Sequence, residues 1–305
     1  MRNRYQRRRY CRRERSHSVG AWILLILSWI AVLPVAAFVL HSIHTELQPA
    51  ETPNIDPVQP TFAQTHMKTI ELQIERFAPA LTLRSDAPSV LIYHTHTTEA
   101  YFPSKDTPYR ETSSWRTDDN SKNVVAVGEA LKEILETQYG FCVLHDMTDH
   151  EPPKLATAYE RSLLTMQRYH EQYPSIVLFI DLHRDAYENP TKPADYLTIN
   201  GTETARMMFV VGKGEKYEDK PYFDTNYALA DRITKYLMSI DEKLARPIRV
   251  KPGRYNQHVA PNCLLVEVGH NANTIEQALA AMPYLAEGIA YSFGSNRASS
   301  DWSTN

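Results

Sequence analysis

Cysteine is nearly missing from this chain, with three in 305 residues, at Cys11, Cys142 and Cys263. An odd number this small cannot build a disulfide framework. Cys142 and Cys263 fall inside apolar runs, where a free Cys usually behaves as a small apolar residue. Neither a Cys nucleophile nor a thiolate-held zinc is therefore expected. Internal repeats are also absent, and no low-complexity tract follows the N-terminal tail, which excludes a solenoid or repeat array. Acid is scarce at the start: the first 18 residues hold eight arginines against Glu14 alone, a net +7, so with the chain at −3 the remainder carries −10. Tail and body are electrostatically different objects.

Charge disappears altogether from Gly20 to Leu40, 21 residues. That is enough helix to cross a hydrocarbon core of about 30 Å. Arginines precede the run and none follows closely, which orients the tail to the cytoplasm and the body outside. Trp22 and Trp29 suit interfacial and lipid-facing positions, and Pro34 is tolerable in a spanning helix. Val35-Ala36-Ala37 resembles a cleavage site, but the apolar run continues past it, which favours an uncleaved anchor. In either case the body is exported. An arginine-rich tail can bind nucleic acid, yet beside a membrane span its role in topology and its contact with anionic lipid suffice, so no nucleic-acid partner is expected.

Residues 42–87 carry five prolines and no long apolar run, and read as a spacer. The expected organisation is a basic cytoplasmic tail at 1–19, a transmembrane anchor at 20–41 and an extracytoplasmic spacer at 42–87. A folded domain at 88–295 and a polar tail at 296–305 follow. This describes a single-pass protein of the cell membrane with its C-terminal domain extracytoplasmic.

In the body, apolar runs alternate with helical periodicity. Strands are expected near Val90–Tyr93, Phe141–Leu144, Ile176–Leu182, Met207–Val211, Pro247–Val250 and Cys263–Val268. Helices are expected from Val124 to a stop at Gly140, over Ala158–Tyr173, over Asn226–Ile240 and from about Thr274 to Phe293, the first capped by Asp118, Asp119 or Asn120. Phe102 to Arg116 reads as irregular. The alternation predicts an α/β fold, a mainly parallel sheet with helices on both faces.

Three of those strands end in ionisable groups: His94, His96 and Glu99 after the first, His183, Arg184 and Asp185 at the third, and Glu267 with His270 at the last. In open α/β sheets ligands sit at the carboxyl edge of the strands. A hydrolytic zinc site needs three His or carboxylate ligands and an open position for water, with a further carboxylate to move protons. The pattern suits a metal site; satisfied core or surface histidines are the competing reading, since the chain has 12.

Five segments, YHTHTTEAY, WRTDDNSKNVVAVGEAL, FIDLHRDA, RYNQH and VEVGHNANTIEQAL, occur in the order found in the stage II sporulation protein P family. The chain resembles that family over roughly Ser89 to Ser292. The resemblance implies an amidase-3-like fold and a membrane-anchored, zinc-dependent N-acetylmuramoyl-L-alanine amidase. Such an enzyme acts on peptidoglycan during engulfment, with an additional endopeptidase action on peptide cross-links, beside stage II sporulation proteins D and M. It implies His94 and His183 as zinc ligands, Asp119 as the third ligand with Glu99 as its rival, and Glu267 as the catalytic acid and base. Arg254, Tyr255, Asn256, His258 and Asn271 are expected at the substrate. His96 is expected behind the ligands, and Arg184 with Asp185 as a salt bridge orienting the strand end. The family's usual pattern near Glu267 is closer to EVGSNGN, so His270 is a departure that tunes the metal or fills space. A peptidase restricted to cross-links, or a wall-binding module without turnover, remains the alternative.

Overall fold

The computed structural model describes residues 86–187, 195–214 and 220–294. The predicted tail, membrane anchor, polar C-terminus and nearly all of the spacer lie outside the described residues. Among the described residues, no helix is long and apolar enough to cross a membrane.

Six strands form one sheet in the order β2-β1-β3-β8-β6-β7. They are β1 (Val90–Tyr93), β2 (Val143–His145), β3 (Leu178–Asp185), β6 (Met207–Gly212), β7 (Arg249–Lys251) and β8 (Cys263–His270). Neighbours run parallel except β6, which pairs antiparallel with β8. The predicted mainly parallel sheet is therefore present, with one reversal. That reversal is prepared by a hairpin absent from the sequence-based expectation, β4 (Tyr196–Ile199) and β5 (Thr202–Ala205). Its two-residue loop, Asn200-Gly201, has φ of 50° and 81°, the paired left-handed geometry that favours Asn-Gly in tight hairpins.

Helix α1 (Val124–Tyr139) buries Val124, Val127, Leu131 and Leu135 along one stripe and ends at Gly140, φ 72°. Its cap is Asn123, whose side chain accepts from Val125 N, and not the predicted Asp118–Asn120, which lie in an exposed loop. Asn123 is fully buried and ties the helix start to Thr117 O as well, which a solvent-facing Asp would not do. Helix α2 (Ala158–Gln172) follows a single 3₁₀ turn; α3 (Phe223–Ile240) and α4 (Ile275–Ser292) complete the set. Helix α4 opens with a reciprocal capping box between Thr274 and Gln277.

The sheet's two faces are covered unequally, and this positions the site. Val90 and Ile92 of β1, Leu178, Ile180 and Leu182 of β3, and Leu264, Val266 and Val268 of β8 share one apolar core with α1, α3 and α4. The opposite face carries Leu91, Tyr93, Phe179 and Cys263, packed on Met166 of α2 and on Ala260. Side chains alternate across a strand, so each strand deals its residues between a deep three-helix core and a shallower side roofed by α2. Each fully buried Leu or Ile in the deep core contributes about 1.5–3 kcal/mol.

Candidate active site

The deciding geometry is the alternation carried to the strand ends. In β3, Leu178, Ile180 and Leu182 go to the deep core, so Asp181 and His183 fall on the α2 side. His183 is registered beside Glu267 of β8, which puts Glu267 on that side too. From the loop after β1, Glu99 reaches in: its Oε2 lies 3.3 Å from His183 Nδ1 and accepts from Arg184 N at 3.1 Å. His96 meets His183 edge to face, ring centroids 5.5 Å apart, and Tyr159 of α2 at 5.7 Å. Tyr255 closes the wall at 5.6 Å from Tyr159.

Charges in this cluster are strongly coupled. His183 stands between two carboxylates, with Nε2 2.8 Å from Asp181 Oδ1. Burial disfavours its imidazolium, but Asp181 and Glu99 outweigh burial and push its pKa well up. Glu99 is opposed by its own burial, yet Arg184 and His183 hold its carboxyl well below the usual range. Burial and the neighbouring His183 lower His96 to about 4. Glu267 goes the other way: burial pushes it up to about 7, and Glu99 and Asp185 add to the rise against the pull of His183. A carboxyl that exchanges its proton near neutrality is suited to general acid–base work.

Asp181 was not among the predicted site residues. Its two oxygens take Thr95 N at 2.8 Å and Thr95 Oγ1 at 2.6 Å besides facing His183. The visible sign is a carboxylate in the middle of the apolar run FIDL, where an ionised group needs partners. Behind Glu99, Arg116 bonds Glu151 and lies 3.8 Å from Glu99 Oε1.

Two predicted ligands stand elsewhere. His94 continues the Val90–Ile92 parity and turns to the deep core, where it is fully buried. Both its nitrogens are used: Nδ1 lies 2.8 Å from Leu182 O and Nε2 lies 2.8 Å from His145 Nε2. A carbonyl only accepts, so Nδ1 donates and Nε2 accepts from His145. A Cβ on Gly128 of α1 would come within 2.8 Å of His145 and 2.9 Å of His94, so the pair has its room because position 128 is glycine. Asp119 is exposed and its carboxylate accepts from Ser121 N and Oγ. Of the two acids considered, Glu99 is the one inside the cluster.

The other predicted residues divide. Tyr255 walls the cluster. Asn256 is buried and its amide donates to Tyr159 O and Ser162 Oγ, which braces the loop against the helix. Asn271 pins Tyr187, donating to its carbonyl and accepting from its N–H. Arg254 and His258 sit half-buried on the same loop as Tyr255. The expected Arg184–Asp185 salt bridge is absent: Arg184 donates to Ala100 O and Trp115 O, and Asp185 pairs with Arg246 at 2.9 Å. His270 faces Tyr187, ring centroids 4.4 Å apart, with Nδ1 3.1 Å from Ala272 N and Nε2 3.2 Å from Asp195 N, of which a neutral ring can accept from one. It fills space beside a loop.

Whether this pocket suits a metal can be tested on its donors. Among the described residues, no three His, Cys, Asp or Glu side chains stand as a formed metal shell. The donor chemistry nevertheless fits zinc: two imidazoles and carboxylates at one sheet edge. Glu267 Oε2 is shut off from solvent without a hydrogen-bond partner, and His96 Nδ1 is equally shielded with only Glu151 Oε1 at 3.8 Å. Buried polar atoms are rarely left so.

The family profile of Stage II sporulation protein P matches residues 41–290. The chain belongs to the stage II sporulation protein P family. Stage II sporulation protein P of Bacillus subtilis (strain 168) is 28% identical to it over 246 residues, covering 75% of this chain and 58% of that protein. The chain thus spans a little over half the length of this relative. Among solved structures, the CwlD amidase from Clostridioides difficile, solved in complex with the GerS lipoprotein, is similar at a TM-score of 0.42 and 14% identity. That match covers 68% of this chain and 96% of the other. An N-acetylmuramoyl-L-alanine amidase from Clostridium difficile 630 gives 0.39 and 17%, covering 68% and 94%.

Proposed function

We propose that this stage II sporulation protein P family member is a metal-assisted peptidoglycan hydrolase cleaving the amide between muramic acid and L-alanine. The observation that carries the reading is the convergence of His96, Glu99, His183 and Glu267 on one sheet edge, with Glu267 Oε2 shielded from solvent and without a hydrogen-bond partner. His96, His183 and Glu99 would hold zinc. When bound, zinc supplies Lewis-acid polarisation of the amide carbonyl.

The chain's own residues do the rest. Glu267, with its carboxyl raised to about 7, takes a proton from the attacking water and returns it to the departing amine. Asp181 fixes the ring plane of His183 from the side away from Glu99. Tyr159 and Tyr255 wall the site on the α2 side, lowering the local dielectric around these charges. Residues 20–41 anchor the chain in the cell membrane and place the domain outside the cytoplasm, where peptidoglycan is met. Stage II sporulation proteins D and M are the proposed partners.

The test is digestion of purified cell walls by the full chain, with mass spectrometry of the soluble products. Peptides bearing new L-alanine amino termini, released in a chelator-sensitive manner, are the expected result. Products cut only within cross-links would make it a peptidase instead, and wall binding without any release would make it a binding module.

A further inference from the structure

The loop between β1 and α1, which carries His96 and Glu99, also brings two of its aromatic rings, Phe102 and Trp115, together. Phe102 is 45% exposed and its ring faces that of half-buried Trp115 at 6.3 Å, planes 31° apart. The hydrophobic effect acting alone would turn such a pair inward. Instead the backbone holds it out. Trp115 has φ 60°, a left-handed conformation that is a genuine outlier for a bulky residue, and such outliers gather at ligand sites.

Its hydrogen bonds secure that conformation. The Trp115 carbonyl accepts from Ala100 N at 2.9 Å and from Arg184 Nη2 at 2.8 Å. Phe102 N donates to Asn273 O at 2.8 Å. Each ring is thus carried by backbone tied to the site: Arg184 follows His183, and Arg116, next to Trp115, lies 3.8 Å from Glu99. The same loop lines an open cleft with Arg110, Glu111, Thr112, Thr117, Asp118 and Asp119.

We propose that Phe102 and Trp115 form a carbohydrate-stacking subsite that receives the glycan strand beside the His96–Glu99–His183–Glu267 cluster. The inference rests on the peptidoglycan reading above and deepens it by assigning the sugar side of the substrate. A pyranose ring presents a face of C–H groups with partial positive charge, which matches the negative face of an aromatic ring. Its hydroxyls project around the rim and need donors and acceptors, which polar side chains of the same loop, Arg110, Glu111 and Thr112 among them, would supply. A stem peptide offers no such flat apolar face.

The experiment uses the full chain in detergent with Trp22→Phe, Trp29→Phe and Trp302→Phe, so that Trp115 is the one remaining tryptophan. The added Glu267→Gln change slows any turnover. Titration with glycan strands stripped of peptide should shift Trp115 fluorescence, whereas free stem peptide should not. Calorimetric affinity for the stripped glycan should fall at least tenfold in Phe102→Ala and in Trp115→Gly. Glycine suits the left-handed backbone, so the second change removes the ring without refolding the loop. Trp115→Phe should restore most of the affinity. Unchanged glycan affinity in both ring-removing variants overturns the subsite, as does a fluorescence response to stem peptide alone. If glycan binds through these rings but walls are never cleaved, the subsite stands and the hydrolase reading falls.

Discussion

At the scale of single residues, the cluster separates proton transfer from metal holding. Glu267→Gln preserves shape and most hydrogen bonding but cannot carry a proton, so wall digestion should fall by about 10²–10⁴. Zinc stoichiometry and melting temperature should stay near those of the parent, because His96, Glu99 and His183 are untouched. Loss of zinc in that variant would make Glu267 a ligand. The two histidines of the HTH motif are expected to behave oppositely. His94 is buried with both nitrogens bonded, so His94→Ala leaves Leu182 O and His145 Nε2 without partners. It should cost about 2–4 kcal/mol of stability, read by denaturant unfolding. His96 makes no hydrogen bond through its Nδ1, which has only Glu151 Oε1 at 3.8 Å, and touches the cluster instead of the core. His96→Ala should keep the fold and lose bound zinc together with activity. Equal destabilisation by both changes would contradict the division. The motif's spelling could not make this distinction, since both residues are His two apart. What decides it is the parity inherited from β1, broken by the turn after His94 that swings His96 to the other side.

At the scale of elements, strands β1 and β2 end in a pair that is sensitive to acid. Burial and the neighbouring His145 lower His94 to about 3 from its ordinary 6.5. The folded value lies below the unfolded one, so the unfolded chain binds a proton that the folded chain refuses. This stability is fully present above pH 6.5 and is lost as pH falls toward 3, at most about 1.4 kcal/mol per pH unit for this group. Physically, protonating Nε2 would set two N–H donors against each other between the strand ends. Melting temperature should drop from pH 7 to pH 5, with a smaller drop in His94→Gln; an equal drop in both would place the acid sensitivity elsewhere. Most elements were legible because their apolar runs and stops were clear: Gly140 ends α1, and β1, β3, β6 and β8 are near-continuous buried runs. The β4–β5 hairpin was missed although Asn200-Gly201 is a strong turn signal, because each strand has only four residues and β5, Thr202–Ala205, is polar but for its last residue, so Leu197 and Ile199 are the one short apolar alternation to announce it. The cap of α1 was misread because Asn123 differs from the preceding acids only in being buried, a tertiary fact.

At the scale of the whole molecule, the unequal covering of the sheet explains both the site and how the domain should open. Three helices make the face behind His94 deep, and one helix with a loop makes the face before Glu267 shallow enough for substrate. The parallel order was readable from alternating strands and helices; which face would be shallow was not, because it depends on where α2 and the loop near Tyr255 settle. The two described cysteines, both buried, report on this layering. Cys263 begins β8, a central strand between β3 and β6, and burial pushes its thiol far above the ordinary range. Cys142 precedes β2, an edge strand held by β1 alone. Edges open locally at lower free energy than central strands, which exchange only through global unfolding. In a Cys11→Ser chain at neutral pH, thiol labelling should therefore modify Cys142 first. Cys263 labelling should be slower by about 10-fold or more, since each 1.4 kcal/mol of added opening free energy is tenfold in population. Denaturant should separate them further: the Cys263 rate should rise with the full slope of global unfolding and the Cys142 rate with a shallower one. Peptide mapping after timed labelling measures both. Equal rates and slopes would mean that β2 and β8 open as one unit, and that the sheet has no weak edge at β2.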